Sequence, residues 1–279
     1  MLKIINIVFI FILSISLQAN EKSLIFNFGL IDQSMDMYSK KDLKISMGIW
    51  LTEVTKDIGD IHMQLYNKPK QAANDLAKGK IDYISAFPIT FVKYFDTTKL
   101  QNGFTGRFGD FKKSRFVILT KKELADKSIQ ELHHVKVGIE KNDEIMHIYT
   151  ELYIDYSKIV KYKHRNRVLL ELFFSKLDVA IVPLRTYELA CDLNPQIAHR
   201  IKILKVTKYT SDILGFYRKD VPKKKVDTIF EEGLRVFNTP KGKEMMSIYK
   251  IETLVHTELS ELDNARELYN KYKKVKGKK

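Results

Sequence analysis

Predicted strands and helices alternate along the chain, and this alternation limits the possible folds more than any other feature. Residues 24–30 form a continuous apolar run typical of a buried strand, and apolar residues recur at helical spacing from Leu43 to Ile58. Residues 61–66 and 81–87 predict the next two strands, with a helix between them. This order predicts an α/β fold in which helices cover a parallel or mixed sheet.

A second unit repeats this pattern later in the chain. Residues 135–139 and 177–182 predict strands, and the helix before the second of them carries apolar residues at helical spacing. Gly79-Lys80-Ile81-Asp82 in the first unit and Ser175-Lys176-Leu177-Asp178 in the second each end a helix and enter a buried strand. Two similar lobes that face one another are the simplest interpretation.

The lobes are predicted to be joined by crossing strands rather than by a flexible linker. Residues 114–120 predict a strand that leaves the first lobe, and residues 212–218 predict a strand that returns to it. The predicted division is therefore residues 20–115 for the first part of lobe one, residues 116–211 for lobe two, and residues 212–279 for the return to lobe one with the C-terminal helices. A ligand cleft is expected between the lobes.

The N-terminus has the features of a signal peptide. Lys3 supplies a positive charge, residues 4–13 form a nearly unbroken apolar run, and Ala19 is a small residue suited to cleavage. Residues 1–19 are therefore predicted to direct export and to be removed, which places the protein in the periplasm; a retained N-terminal anchor is the alternative. The single cysteine, Cys191, excludes an intrachain disulfide.

The formal net charge of +14 does not identify a partner by itself. Such a charge occurs in proteins that bind nucleic acids or anionic surfaces, but export argues against nucleic acid, and most of the lysines are isolated from one another. The sequence has no Gly-x-Ser-x-Gly elbow, phosphate-binding loop or dinucleotide motif, and its histidines lack the spacing of a metal site. We therefore predict no catalytic residues, no cofactor and no metal.

Several short motifs occur in an order that resembles one known family. They are Asn27-Phe28-Gly29-Leu30-Ile31, Gly79-Lys80-Ile81-Asp82 with Phe87-Pro88-Ile89-Thr90, Lys163-His164-Arg165, Asn194-Pro195 and Arg218-Lys219-Asp220. Over roughly residues 24–250, the pattern resembles the phosphate/phosphite/phosphonate-binding (PhnD-like) family of periplasmic proteins. The resemblance implies the two-lobed type II periplasmic-binding-protein architecture, in which hinge closure captures a small ligand in the cleft between the lobes. It also implies delivery of that ligand to the membrane permease of an ABC importer.

The resemblance further implies a set of ligand-binding residues. They are Ser34, Pro88, Thr90, Asn142, Asp143, His164, Arg185 and Asp212. His164 matches the position of a ligand-contacting histidine, and Ser34, Thr90 and Asp212 fall in loops that face the cleft. Arg185 has two interpretations: it holds a carboxylate or phosphate in a bidentate fork, or it lies in solvent.

One segment departs from the family pattern. Where such proteins carry a Ser/Thr-rich turn that cradles an oxyanion at a helix N-terminus, this chain has Lys141-Asn142-Asp143-Glu144. Two interpretations stay open: Asn142 or Asp143 caps the helix, or the ligand is not held there by an anionic group. The predicted ligand is therefore a phosphorus oxyanion or another small organic ion.

Two functions other than transport are alternatives for such a fold. A receptor of this kind could instead pass its ligand signal to a membrane kinase or chemoreceptor, because docking surfaces carry no motif. An enzyme on this fold would need a nucleophile–base pair or a cofactor site, and the sequence displays neither. We expect a monomeric binding protein without enzymatic activity, and neighbouring genes for a permease and an ATPase would favour transport over sensing.

Overall fold

The structure is a computed structural model that describes residues 24–31, 40–107, 115–208, 213–247 and 251–277. The predicted signal peptide and two predicted ligand-binding residues, Ser34 and Asp212, lie outside the described residues. In the part of the chain that the structure describes, no helix is long and apolar enough to cross a membrane.

The described residues form twelve strands and ten α-helices. The strands are β1 (Leu24–Ile31), β2 (Gly59–Tyr66), β3 (Tyr83–Ala86), β4 (Leu100–Gln101), β5 (Gly103–Arg107), β6 (Phe116–Lys121), β7 (Val135–Glu140), β8 (Tyr156–Tyr162), β9 (Val179–Pro183), β10 (Ile201–Val206), β11 (Leu214–Arg218) and β12 (Thr253–Thr257). The helices are α1 (Lys40–Thr55), α2 (Pro69–Ala77), α3 (Pro88–Tyr94), α4 (Glu144–Tyr153), α5 (Arg165–Phe173), α6 (Leu184–Leu193), α7 (Gln196–Arg200), α8 (Lys223–Phe237), α9 (Pro240–Ser247) and α10 (Asp263–Lys276).

Within the described residues, ten of the strands form two mixed sheets of five. The first sheet has the order β2-β1-β3-β11-β4. In it β1 is parallel to both β2 and β3, whereas β11 is antiparallel to β3. The second sheet has the order β8-β7-β9-β6-β10. In it β7 is parallel to both β8 and β9, whereas β6 is antiparallel to β9. We call each sheet with its helices the first and the second lobe. The predicted α/β architecture with two similar lobes is confirmed.

The inner strands of both lobes are mostly apolar, because helices cover both faces of each sheet. Ile84 in the first lobe and Ile118, Leu119 and Val182 in the second have no accessible surface. Strands buried on both faces read as continuous apolar runs rather than as alternating ones. This is why the strand positions could be predicted from single runs of residues.

The last helix, α10, contacts both lobes. It packs against α3 of the first lobe and α4 of the second. Leu262, directly before it, lies in an apolar cluster of the first lobe with Phe91, and Leu268 lies in a cluster of the second lobe with Ile145. Helix α10 therefore holds α3 and α4 near each other, and these two helices border the site described next.

Candidate ligand cleft

A small cavity of about 50 Å³ lies between the two lobes. The first lobe contributes Phe87, Ile89 and Thr90, from the start of α3. The second lobe contributes apolar walls from Phe116 and Ile145, and a polar lining formed by Glu140, Asn142, Asp143, Glu144 and Arg165. Most of these residues follow the carboxyl end of a strand, which is where open α/β sheets place their binding crevices.

Backbone geometry places the first-lobe residues. Strand β3 ends at Ala86, and α3 begins at Pro88, whose fixed φ suits the first position of a helix. Phe87 precedes it in an extended conformation, and the start of the helix lines the cavity with Ile89 and Thr90. Thr90 is only 5% exposed and lies in the first turn of the helix.

Asp143 caps the helix that enters the second-lobe side of the cavity. It is the N-cap residue of α4, and its Oδ1 accepts a hydrogen bond from the Met146 N–H at 3.0 Å. Burial raises the pKa of this carboxyl group, whereas the backbone N–H groups of Met146 and Ile145 and the charge of Arg165 act in the opposite direction. The structure shows helix capping by Asp143, the first of the two interpretations drawn from the sequence, and this cap is compatible with the second.

Glu140 and Arg165 form an ion pair at the wall of the cavity. Glu140 ends β7 and is only 6% exposed, and its Oε2 lies 3.1 Å from Arg165 Nε and 3.0 Å from Arg165 Nη2. A buried carboxylate is stable only when it is paired and hydrogen-bonded. Arg165 therefore lines the cavity while its guanidinium is paired with Glu140.

A hydrogen-bonded ion pair joins the lobes directly at the cavity. Glu144, the first residue of α4, accepts hydrogen bonds at Oε1 from Lys93 Nζ at 2.7 Å and from Tyr94 Oη at 3.1 Å, both on α3. Burial disfavours the charged ammonium group of Lys93, but its hydrogen bonds with Glu144 and Tyr94 outweigh burial and raise its pKa. The second oxygen, Glu144 Oε2, is buried and has no hydrogen-bond partner among the described residues.

The predicted ligand-binding residues divide into three groups. Thr90, Asn142 and Asp143 line the cavity, and Pro88 lies between two residues that do. His164 is exposed at the N-cap position of α5, directly before Arg165. Arg185 lies on α6 with a half-exposed side chain, and its Nη1 is 4.0 Å from Glu188 Oε2. The structure thus brings three of the predicted residues together, but it does not place His164 or Arg185 among the lining residues that it describes.

Four charged residues in or beside the cavity are not among the predicted ligand-binding residues: Lys93, Glu140, Glu144 and Arg165. Glu140 is the one acidic residue of β7 and lies at its end, and Arg165 directly follows His164, a predicted ligand-binding residue. Glu140 carried a signal, because a charge at the end of a buried strand needs a partner. Arg165 carried one only through its neighbour His164. Glu144 stood out only as part of the segment Lys141-Asn142-Asp143-Glu144, and Lys93 carried no signal, since the pairing of the two depends on how the lobes meet.

The sequence matches no protein-family model and no curated protein. Solved structures do match. XAC2383 from Xanthomonas citri, solved bound to ATP, has a TM-score of 0.67 and 11% identity, over 91% of this chain and 98% of that one. The binding-protein component of an ABC phosphonate transporter from Pseudomonas aeruginosa has a TM-score of 0.61 and 12% identity, over 91% and 88% of the two chains.

A third solved structure is PhnD1 from Prochlorococcus marinus in complex with methylphosphonate, with a TM-score of 0.59 and 13% identity over 90% of this chain and 98% of that one. The structural similarity establishes a shared fold, but at identities this low it carries no information on the ligand. The resemblance expected from the sequence motifs is confirmed at that level: the chain has the two-lobed fold of type II periplasmic binding proteins.

Proposed function

We propose that this protein is the periplasmic solute-binding component of an ABC importer and that it captures a small ligand between its lobes by hinge closure. The observation that carries the proposal is the cavity lined by both lobes, with the Lys93–Glu144 ion pair bridging them beside it. Two of the matched structures are described as phosphonate-binding proteins, one of them from an ABC transporter, which supports the transport role.

Closure follows from contacts that a ligand makes with both lobes at once. A ligand favours the closed state only by the free energy of contacts that the open state lacks. Thr90 of the first lobe and Asn142 of the second supply a hydroxyl and an amide on opposite sides of the cavity. A ligand hydrogen-bonded to both therefore links the lobes, and no bond is made or broken.

The remaining parts of the proposal come from the sequence. Residues 1–19 act as a cleaved signal peptide, and the loaded protein docks as a monomer on a membrane permease. Of the predicted ligand-binding residues, we retain Thr90, Asn142 and Asp143 as cavity residues. The other predicted ligand-binding residues stay predictions: Ser34, Pro88, His164, Arg185 and Asp212.

The test is a thermal-shift screen of the chain from residue 20 onward, against phosphate, methylphosphonate, organic acids and polyamines. A ligand that binds only the folded state stabilises it by about 2.7 kcal/mol at one hundred times its Kd. We expect one class to raise the melting temperature and to reduce the radius of gyration measured by small-angle X-ray scattering.

Two variants link that response to the cavity. Thr90→Val removes a hydroxyl that lines the cavity, and the response should weaken or vanish. Thr186→Val is the matched control, because Thr186 occupies the corresponding position of α6 in the second lobe, outside the described lining. Equal responses in both variants, or no response to any compound, would contradict capture in this cavity.

A further inference from the structure

We infer that Asp143 is a specificity-determining residue: its carboxylate occupies the N-terminus of α4 in place of a ligand's anionic group and keeps oxyanions out of that end of the cavity. The inference rests on the proposed function only in taking this cavity as the ligand site. It defines the ligand class by charge, and its test is whether variants of Asp143 gain affinity for oxyanions.

The first argument is that backbone N–H groups at the start of α4 already bind a carboxylate of the protein. The N-terminus of a helix presents free N–H groups and a partial positive charge, which together bind phosphates and carboxylates. Helix α4 points this end at the cavity, since Asp143, Glu144 and Ile145 all line it. The Met146 N–H donates to Asp143 Oδ1 at 3.0 Å, so the chain supplies its own anion at the position that a ligand oxyanion would take.

The second argument is the charge of the surrounding groups. Three carboxylates among the described residues line the cavity, those of Glu140, Asp143 and Glu144. In the ion pairs that the structure describes at this place, Arg165 lies 3.0 Å from Glu140 and Lys93 lies 2.7 Å from Glu144. Both cations are engaged by carboxylates of the protein, so an entering oxyanion competes with Glu140 for Arg165 or with Glu144 for Lys93.

The third argument is the unused oxygen of Glu144. Its Oε2 is buried and accepts no hydrogen bond from the described residues, whereas its Oε1 accepts two. A buried acceptor without a donor is unfavourable and disfavours a second acceptor beside it. Ligand groups that suit this end of the cavity are therefore neutral or cationic hydrogen-bond donors, such as a hydroxyl, an amide N–H or an ammonium group.

Two variants of Asp143 separate the two effects of its carboxylate. Asp143→Asn removes the charge but keeps an oxygen on the Met146 N–H. Asp143→Gly removes both, and glycine at an N-cap costs only a few tenths of a kcal/mol relative to aspartate. The matched control is Asp96→Gly, because Asp96 also caps a turn, by accepting from the Thr98 N–H at 3.1 Å, but it lies outside the described lining.

Binding of methylphosphonate and inorganic phosphate is measured by isothermal titration calorimetry, with circular dichroism to verify folding. We expect Asp143→Gly to bind at least about tenfold more tightly than the wild type, because like charges in contact cost several kcal/mol. Asp143→Asn should gain less, and Asp96→Gly should match the wild type. If Asp143→Gly fails to fold, the gain in Asp143→Asn decides the matter.

Failure of this inference is distinguishable from failure of the proposed function. If the wild type already binds methylphosphonate as tightly as Asp143→Gly, or if neither Asp143 variant gains affinity, the inference is overturned, even where another ligand closes the lobes. If the variants gain affinity, the inference is supported, even where no compound in the thermal-shift screen binds the wild type.

Discussion

The two lobes share one framework but differ at the end of their first strand. In the first lobe β1 ends at Ile31, paired with Tyr66 of β2, and α2 begins at Pro69. In the second lobe β7 ends at Glu140, paired with Tyr162 of β8, and α5 begins at Arg165. The same place therefore holds an apolar residue and a proline in one lobe and a buried ion pair in the other.

This difference shows that the second lobe supplies the charged residues of the cavity. Ile31 is fully buried in the first-lobe core, whereas Glu140 and Arg165 line the cavity. The first lobe shows that the framework does not need an ion pair at this place. A buried charge pair is weak evidence for stability, so its presence in the second lobe alone points to a role in the cavity.

The largest expected effect comes from breaking that ion pair. Arg165→Ala removes the guanidinium that pairs with the buried Glu140 carboxylate, and we expect a loss of about 3 kcal/mol in the free energy of unfolding, measured with urea. This is the low end for a buried pair, because about a third of the Arg165 side chain is exposed to water. The double variant Glu140→Ile with Arg165→Pro copies the first lobe and should recover most of the loss. Similar stabilities of Arg165→Ala and the wild type would show that water solvates Glu140.

The next effect concerns an aspartate that both lobes share. Asp82 and Asp178 each accept a hydrogen bond from a backbone N–H of the adjacent strand, that of Asn27 at 3.1 Å and that of Lys136 at 2.9 Å. Asp82 also contacts Lys225 at 2.8 Å and Arg218 at 3.5 Å, both from the returning part of the chain. Asp178 pairs with Lys121 alone among the cations whose ion pairs the structure describes.

Asp82→Asn should therefore destabilise the protein by about 2 kcal/mol, and Asp178→Asn by about 1 kcal/mol. Asp178 is desolvated by burial, but Lys121 and the Lys136 N–H outweigh this effect and lower its pKa. Its contribution is consequently complete above the pKa of the unfolded chain, near 3.8, and is lost as the pH falls through the lower folded value. Urea titrations at neutral and acid pH test both points; equal losses in the two variants would contradict the difference between the lobes.

These residues also show how far the sequence could predict the structure. Strands, helices and the repeated Lys-x-Asp turn depend on neighbouring residues, so local patterns predicted them. Asp143 was predicted for the same reason, since a cap acts on the helix that follows it. The pairing of Glu140 with Arg165 joins two elements, and the Lys93–Glu144 contact joins two lobes. Such pairings follow from tertiary packing, which no local pattern encodes.

A smaller effect is expected where the lobes meet. Lys93→Met removes the ammonium group that reaches Glu144 across the cavity and keeps the length of the side chain. Partly exposed pairs contribute at most about 1 kcal/mol, so the ratio of closed to open molecules should fall by about fivefold or less. Small-angle X-ray scattering without ligand should show a larger radius of gyration. Lys56→Met is the control, because Lys56 pairs with Glu53 within the first lobe; equal radii in the two variants would exclude a role in closure.

The smallest effect comes from the turn that ends α2 and α5. Gly79 has a φ of +74° and Ser175 a φ of +57°, so both adopt the left-handed conformation that disfavours a side chain. Ser175→Gly relieves about 1 kcal/mol of this strain but increases the freedom of the unfolded chain by about 0.5 kcal/mol. We expect a net gain of about 0.5 kcal/mol in the free energy of unfolding.

The reverse change should cost more than the first one gains. In Gly79→Ser the new Cβ also lies 3.2 Å from Arg218 Nη1, whose guanidinium donates to the Ile81 carbonyl and contacts Asp82. Exposed Ser175 has no such neighbour to displace among its described contacts. Urea unfolding of the two variants should thus give changes of opposite sign and unequal size. If both substitutions changed the free energy of unfolding in the same direction, the left-handed backbone conformation would not explain the effects at these two positions.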